Sequence, residues 1–122
     1  VLIGAYTNIS ILCDYLIEKN QAVVLLCSGW KGKFSLEDAI IAGAYCEKLI
    51  ESGHFSTECD SAYAAMDLWS MAKKDIMTYV EKCSHRKRLR TLELDNVIEF
   101  CFTPDTTPII PIFKDGIIQK KQ

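Results

Sequence analysis

Between positions 29 and 38 the chain gathers Gly29, Lys31, Gly32, Lys33, Glu37 and Asp38, directly after the apolar run 23–27. Glycines let a backbone turn sharply and aim its N–H groups inward with no Cβ in the way. The free amides of a helix that follows add partial positive charge, and Lys31 or Lys33 can add a full one. An anion suits such a loop. The spacing is neither that of a P-loop nor that of a dinucleotide Gly-x-Gly-x-x-Gly, so on its own the pattern is a weak signal. Glu37 and Asp38 would repel an anion unless a cation lay between them. Mg²⁺ resolves this, because it takes one or two carboxylates and leaves room for waters and phosphate oxygens. The same carboxylates in a first helical turn also complement the helix dipole without any ligand, and Asp60 in CDSAYAA reads equally as a helix N-cap. The residues alone leave both readings open.

Other candidates are more scattered. His85 can serve as acid, base or anion contact, or can simply occupy a helix start. Asp105, between Pro104 and Thr106, has the loop position of a site residue and the chemistry of a turn former. Trp30 and Phe34 read as anchors for the loop, and His54 as part of a helix end after Gly53.

These residues need elements to position them. Residues 1–5 read as a short strand, and Asn8 as the cap of a helix over 9–19. Residues 23–27, apolar throughout, read as a second strand covered on both faces. Ser35 with Asp38 resembles a capping box opening a helix that runs to about Ser52. Strand, loop and helix thus occur twice. The expected fold is α/β, a mixed and partly parallel sheet flanked by helices in an α/β/α layering, forming one domain over 1–122. A long helix from Asp60 or Ser61 carries an apolar stripe to Cys83, narrow at Ala62, Ala65 and Ala72. A short amphipathic helix is expected over 84–92 and a strand over 97–102. The three prolines in TPDTTPIIP enforce an extended or turning segment, and Asp115-Gly116 reads as the turn of a hairpin.

Bulk composition narrows the function classes. With 122 residues, 49% hydrophobic and 25% charged, the chain can bury a core of its own. A net charge of −2, from 14 basic and 16 acidic side chains spread throughout, argues against nucleic-acid binding. The cationic stretch His85-Arg86-Lys87-Arg88 with Arg90 reads as a solvated helix surface. No apolar run approaches the ~20 residues of a membrane span and no signal peptide is recognisable, so no membrane partner is expected and the location reads as cytoplasmic. Six cysteines, at 13, 27, 46, 59, 83 and 101, form no Cys-x-x-Cys pair, and with Cys27 in the apolar strand and Cys46 and Cys83 on apolar helical stripes they read as small buried thiols.

VLIGAYTN, CSGWKGKFSLEDAIIAGA, CDSAYAA, CSHRKRL and EFCFTPDTTPIIP together resemble, in that order, the 2-phosphosulfolactate phosphatase (ComB-like) family. The pattern is densest at Gly29, Gly32, Leu36, Glu37, Asp38, Ala42 and Gly43, and continues at Ser84, His85, Leu89, Phe100, Cys101, Asp105, Ile110 and Pro111. The resemblance implies an α/β fold and a Mg²⁺-dependent acid phosphatase. Its substrate is the small phosphate and sulfonate anion 2-phospho-3-sulfolactate, cleaved to 3-sulfolactate in coenzyme M formation. For bacterial relatives a related phosphorylated hydroxy acid is also open. It implies Mg²⁺ on Glu37, Asp38 and Asp60, catalytic roles among Asp38, Asp60 and His85, and substrate contacts at Gly29, Lys31, Gly32 and Asp105. Family chains also carry a first half with a TTTNGT-like segment and an Arg-containing strand motif. Both are missing here, so this chain reads as the carboxyl-terminal half, inactive alone if the other half supplies contacts. Two alternatives stand beside the enzyme. One is a non-catalytic domain that packs against a partner half or a second copy through the Ala-rich stripe. The other is a general anion-binding α/β module.

Overall fold

A computed structural model describes residues 1–121 and shows a mixed α/β chain of six helices and a small hairpin. The helices are α1 (Ile9–Lys19), α2 (Leu36–Glu51), α3 (Asp60–Ala72), α4 (Ile76–Val80), α5 (Ser84–Thr91) and α6 (Ile98–Cys101). The hairpin pairs β1 (Pro111–Lys114) with β2 (Ile117–Lys120), antiparallel, with Pro111 opposite Lys120. Its turn residues, Asp115 at φ 52° and Gly116 at φ 81°, have the positive φ that a tight two-residue hairpin requires.

The core follows from apolar residues three and four apart. Leu12 and Cys13 of α1, Ile40, Ala44 and Leu49 of α2, and Trp69 and Ala72 of α3 form one buried cluster with Val80 and Cys83. The closest helix pair is α2 with α3. A Cβ at Gly43 would collide with the Ala65 carbonyl and reach within 2.8 Å of Trp69 Cβ, so the two backbones meet where both sequences are smallest. The Ala-rich stripe expected to face a partner is thus closed within the chain at Ala65 and Ala72. Glu47 of α2 strengthens the pair, accepting from Trp69 Nε1 at 2.8 Å and from Lys73 Nζ at 2.6 Å. Its bond with Lys73 holds the Glu47 carboxyl below the usual glutamate range.

Several expectations are corrected. The helix from Asp60 does not run unbroken to Cys83. It stops at Ala72, and Asp75 caps α4 by accepting from Thr78 N at 3.1 Å, an arrangement that competes with continued helix. Residues 97–102 form a 3₁₀ turn and α6 instead of a strand, with Ile98 buried and Phe102, one helical turn on, packed against the core. The parallel sheet pairing is not formed among the described residues. Residues 1–3 pair antiparallel with β1 instead, through Ile3 N to the Pro111 carbonyl at 2.9 Å and Phe113 N to the Val1 carbonyl at 2.8 Å. Residues 21–27 keep a strand's alternation, with Val23 and Leu25 against the core and Val24 and Leu26 outward, but have no ladder.

Asn8 sits at the N-cap position of α1, yet its buried side chain does not cap the helix. It accepts from Ala5 N at 2.8 Å and from Tyr45 Oη at 3.1 Å, and donates to the carbonyls of Ile3 and Ile109. Asp105 takes over the capping of α1 from 95 residues away, accepting from Ser10 N at 2.8 Å and Ser10 Oγ at 2.7 Å.

The α2–α3 contact yields a direct prediction. Gly43→Ala should lower stability by ~1–3 kcal/mol, the usual cost of overpacking, read as an earlier midpoint in urea. An unchanged midpoint would show that the two helices separate without cost.

Candidate functional site

The 28–38 loop is shaped from its ends inward. Trp30 and Lys33 exchange backbone bonds of 3.0 Å each, with Lys31 at φ 50° and Gly32 at φ 72° between them. Two successive positive φ values are the requirement of a type I′ turn, which Gly32 meets without strain. Gly29, at φ 66°, leaves no room for a side chain, since a Cβ would lie 2.5 Å from the Lys33 carbonyl oxygen.

Asp38 ties this loop to the start of α2. Its Oδ2 accepts from Gly29 N at 2.8 Å and from Ser28 Oγ at 3.3 Å, and its Oδ1 accepts from Ser35 Oγ at 2.9 Å. Ser35 Oγ in turn accepts from Asp38 N at 3.4 Å, completing the N-cap. Glu37 Oε2 lies 3.3 Å from the same Ser35 hydroxyl, so the two carboxylates converge on one point.

Helix α5 forms the facing wall. Cys83, its N-cap residue, is buried beside Glu37, and burial followed by the Glu37 carboxylate pushes its thiol up to about 11. Arg88 stacks over the Trp30 ring at 4.6 Å and places Nη2 at 3.0 Å from His85 Nδ1. Guanidinium only donates, so Nδ1 accepts, and the ring proton of a neutral His85 resides on Nε2. Burial, reinforced by Asp38, also raises the Cys27 thiol at the loop's other end.

Glu37, Asp38 and His85 line one groove of about 900 Å³, together with Ser28 and Arg86 and a majority of apolar side chains. Gly29, Lys31, Gly32, Asp60 and Asp105 lie outside its lining. Lys31 is exposed at the turn tip, 5.8 Å from the Trp30 ring, and Asp105 borders a separate hollow beside Ser10 and Asp14. Asp60 is exposed at the start of α3. Burial raises the nearby Cys46 thiol, with Cys59 and Cys27 adding to the shift. Glu37, Asp38 and Asp60 do not form one donor set: among the described residues no group of three or more His, Cys, Asp or Glu is arranged to hold a metal. The Glu37–Asp38 pair does fit a hard ion that completes its shell with waters and phosphate oxygens.

The sequence reading missed how the basic stretch is used. Arg86 is buried, donates from Nε to Glu81 Oε1 at 3.0 Å and pairs with Asp95, while Arg90 Nη2 donates to Glu81 Oε2 at 2.6 Å. These two arginines are neutralised by two carboxylates flanking α5. Glu81 and Asp95, either side of the basic run, were the available signal.

The family model described as 2-phosphosulpholactate phosphatase matches residues 1–116. The curated protein named probable 2-phosphosulfolactate phosphatase in Caldanaerobacter subterraneus subsp. tengcongensis is 32% identical over 122 residues, covering 100% of this chain and 50% of that protein. Its namesake in Thermotoga maritima is 31% identical, covering 100% of this chain and 52% of its own length. That of Clostridium kluyveri is 33% identical over 119 residues, covering 98% of this chain and 49% of its own length. The chain therefore spans about half the length of the curated relatives it matches.

Removing the Asp38 tie should release the loop. Hydrogen bonds to a charged acceptor contribute ~1.5–3 kcal/mol, so Asp38→Ala should speed amide exchange at Gly29 by roughly tenfold to a hundredfold. Exchange at the wild-type rate would mean that the loop holds its shape without Asp38.

Proposed function

The chain belongs to the 2-phosphosulfolactate phosphatase family, and from that premise we propose that it supplies the carboxylate-bearing half of a Mg²⁺-dependent phosphatase site. The substrate is the phosphate monoester of 2-phospho-3-sulfolactate or a related small phosphorylated hydroxy acid. One observation carries this reading: the adjacent Glu37 and Asp38 line the same groove as His85, distant in sequence, inside the family's match.

Phosphoryl transfer to water needs positioning and neutralised charge more than covalent help from the protein. Glu37 and the one lone pair left free on Asp38 Oδ1 would hold Mg²⁺, which would supply charge neutralisation for the phosphate oxygens. The amides of the first turn of α2 add partial positive charge on the same side. Asp38, through Gly29 N and Ser28 Oγ, keeps the loop against that turn. Water oxygen forms the new bond to phosphorus as the bond to the hydroxy-acid oxygen breaks. His85 Nε2–H, oriented by Arg88 through Nδ1, donates a hydrogen bond to the leaving oxygen, and the proton that the attacking water loses ends on that oxygen. Asp105, outside the groove, enters this scheme only through the cap it gives α1, and Asp60, exposed at the start of α3, has no part in it.

The experiment uses the 122-residue chain alone and a chimera in which it replaces the matching half of the Thermotoga maritima relative. Phosphate release from 2-phospho-3-sulfolactate is followed with Mg²⁺ and with chelator. Release by the chimera that chelator abolishes, falling at least a hundredfold in kcat for Glu37→Gln, is the expected result. Chelator-insensitive release, or full activity in the Glu37→Gln chimera, would contradict the reading.

A further inference from the structure

Residues 21–27 make no backbone hydrogen bond to any described segment, although their exposure alternates as in a strand. Val24 and Leu26 are 89% and 91% exposed, values foreign to apolar residues in a finished sheet. Residues 1–3 pair with β1 along one side only. The groove lies between these two segments, floored by Leu12 and Leu16 of α1 and by Ile41 and Tyr45 of α2. Adjacent strands stand ~4.8 Å apart and leave no such channel. Two segments joined through a crossover helix and separated by an apolar groove have the geometry of strands with one member missing between them.

We propose that a β-strand from the polypeptide that the longer relatives carry beyond the matched half inserts between residues 1–5 and 21–27. It pairs with the backbone groups of Leu2 and Gly4, which make no hydrogen bond within the described residues, and with the edge of 21–27, and the same half covers Val24 and Leu26. The occupant follows from two observations. The chain spans about half of each relative, so a polypeptide of comparable length remains to supply strands. A second copy pairing through its own 21–27 would run along one edge and leave the groove open. The inserted strand is apolar on the face that meets Leu12, Leu16 and Ile41.

The test is amide hydrogen exchange over 21–27 in the isolated chain and in the chimera, with the intact Thermotoga maritima relative measured over its corresponding segment. Exchange at least a hundredfold slower in the chimera or the relative than in the isolated chain is expected. Val24→Asp with Leu26→Asp, at exposed positions, should restore fast exchange in the chimera while leaving the far-ultraviolet spectrum of the isolated chain unchanged. Fast exchange over this segment in both the chimera and the relative overturns the proposal. So does an isolated chain that dimerises with 21–27 already protected, which assigns the groove to a second copy. Neither readout involves phosphate release, so this proposal and the catalytic one fail separately.

Discussion

The carboxylate of Asp38 is the constraint on which the site depends. It accepts from a loop amide, a loop hydroxyl and the capping serine, and so fixes where α2 begins relative to the turn before it. With α2 fixed, Glu37 is held beside Cys83 at the start of α5, and the Trp30–Arg88 stack carries the loop tip to the same helix. His85 then lines the same groove as the carboxylates. The glycines serve this arrangement through backbone geometry. Gly29 and Gly32 allow a turn tight enough for Asp38 to reach across it, and the proposed metal and phosphate would occupy what that turn leaves open.

The sequence was most legible where local rules suffice. The Ser35–Asp38 cap, the helix from Leu36, the α5 helix and the Asp115-Gly116 hairpin each follow from capping or turn chemistry within a few residues. It was least legible where a distant partner decides. Asn8 looks like a cap but is drawn into the core by Tyr45 and the carbonyls of Ile3 and Ile109, and Asp105 caps the helix in its place. Arg86 looks like one charge among several but is buried by carboxylates on both sides of α5. The misread strand at 97–102 has the same origin. Its β-type composition gives way to a helical turn with Ile98 buried and Phe102 packed against the core, which only the folded core makes apparent.

Residues 1–5 and 21–27 show a different kind of gap between sequence and structure. Their apolar composition fits strands covered on both faces, and the helices cover one face of each. On the other face Val24 and Leu26 stay bare, and 21–27 makes no ladder bond within the described residues. On the proposed reading such edges arise because the sheet is assembled from two halves of a polypeptide that share its ladder bonds. Glu37, Asp38 and His85 line this same groove, so completion of the sheet and completion of the site are two aspects of one assembly on the proposed reading.

The claim that the α2 start and the α5 wall together form a divalent-ion site is tested most directly by Mn²⁺ in place of Mg²⁺. In a ¹⁵N spectrum of the chain, paramagnetic broadening should concentrate on amides 28–38 and on 83–88, and Glu37→Gln should remove it. Broadening centred on Asp60, on Asp105 or on the hairpin, with amides 28–38 sharp, would contradict the account.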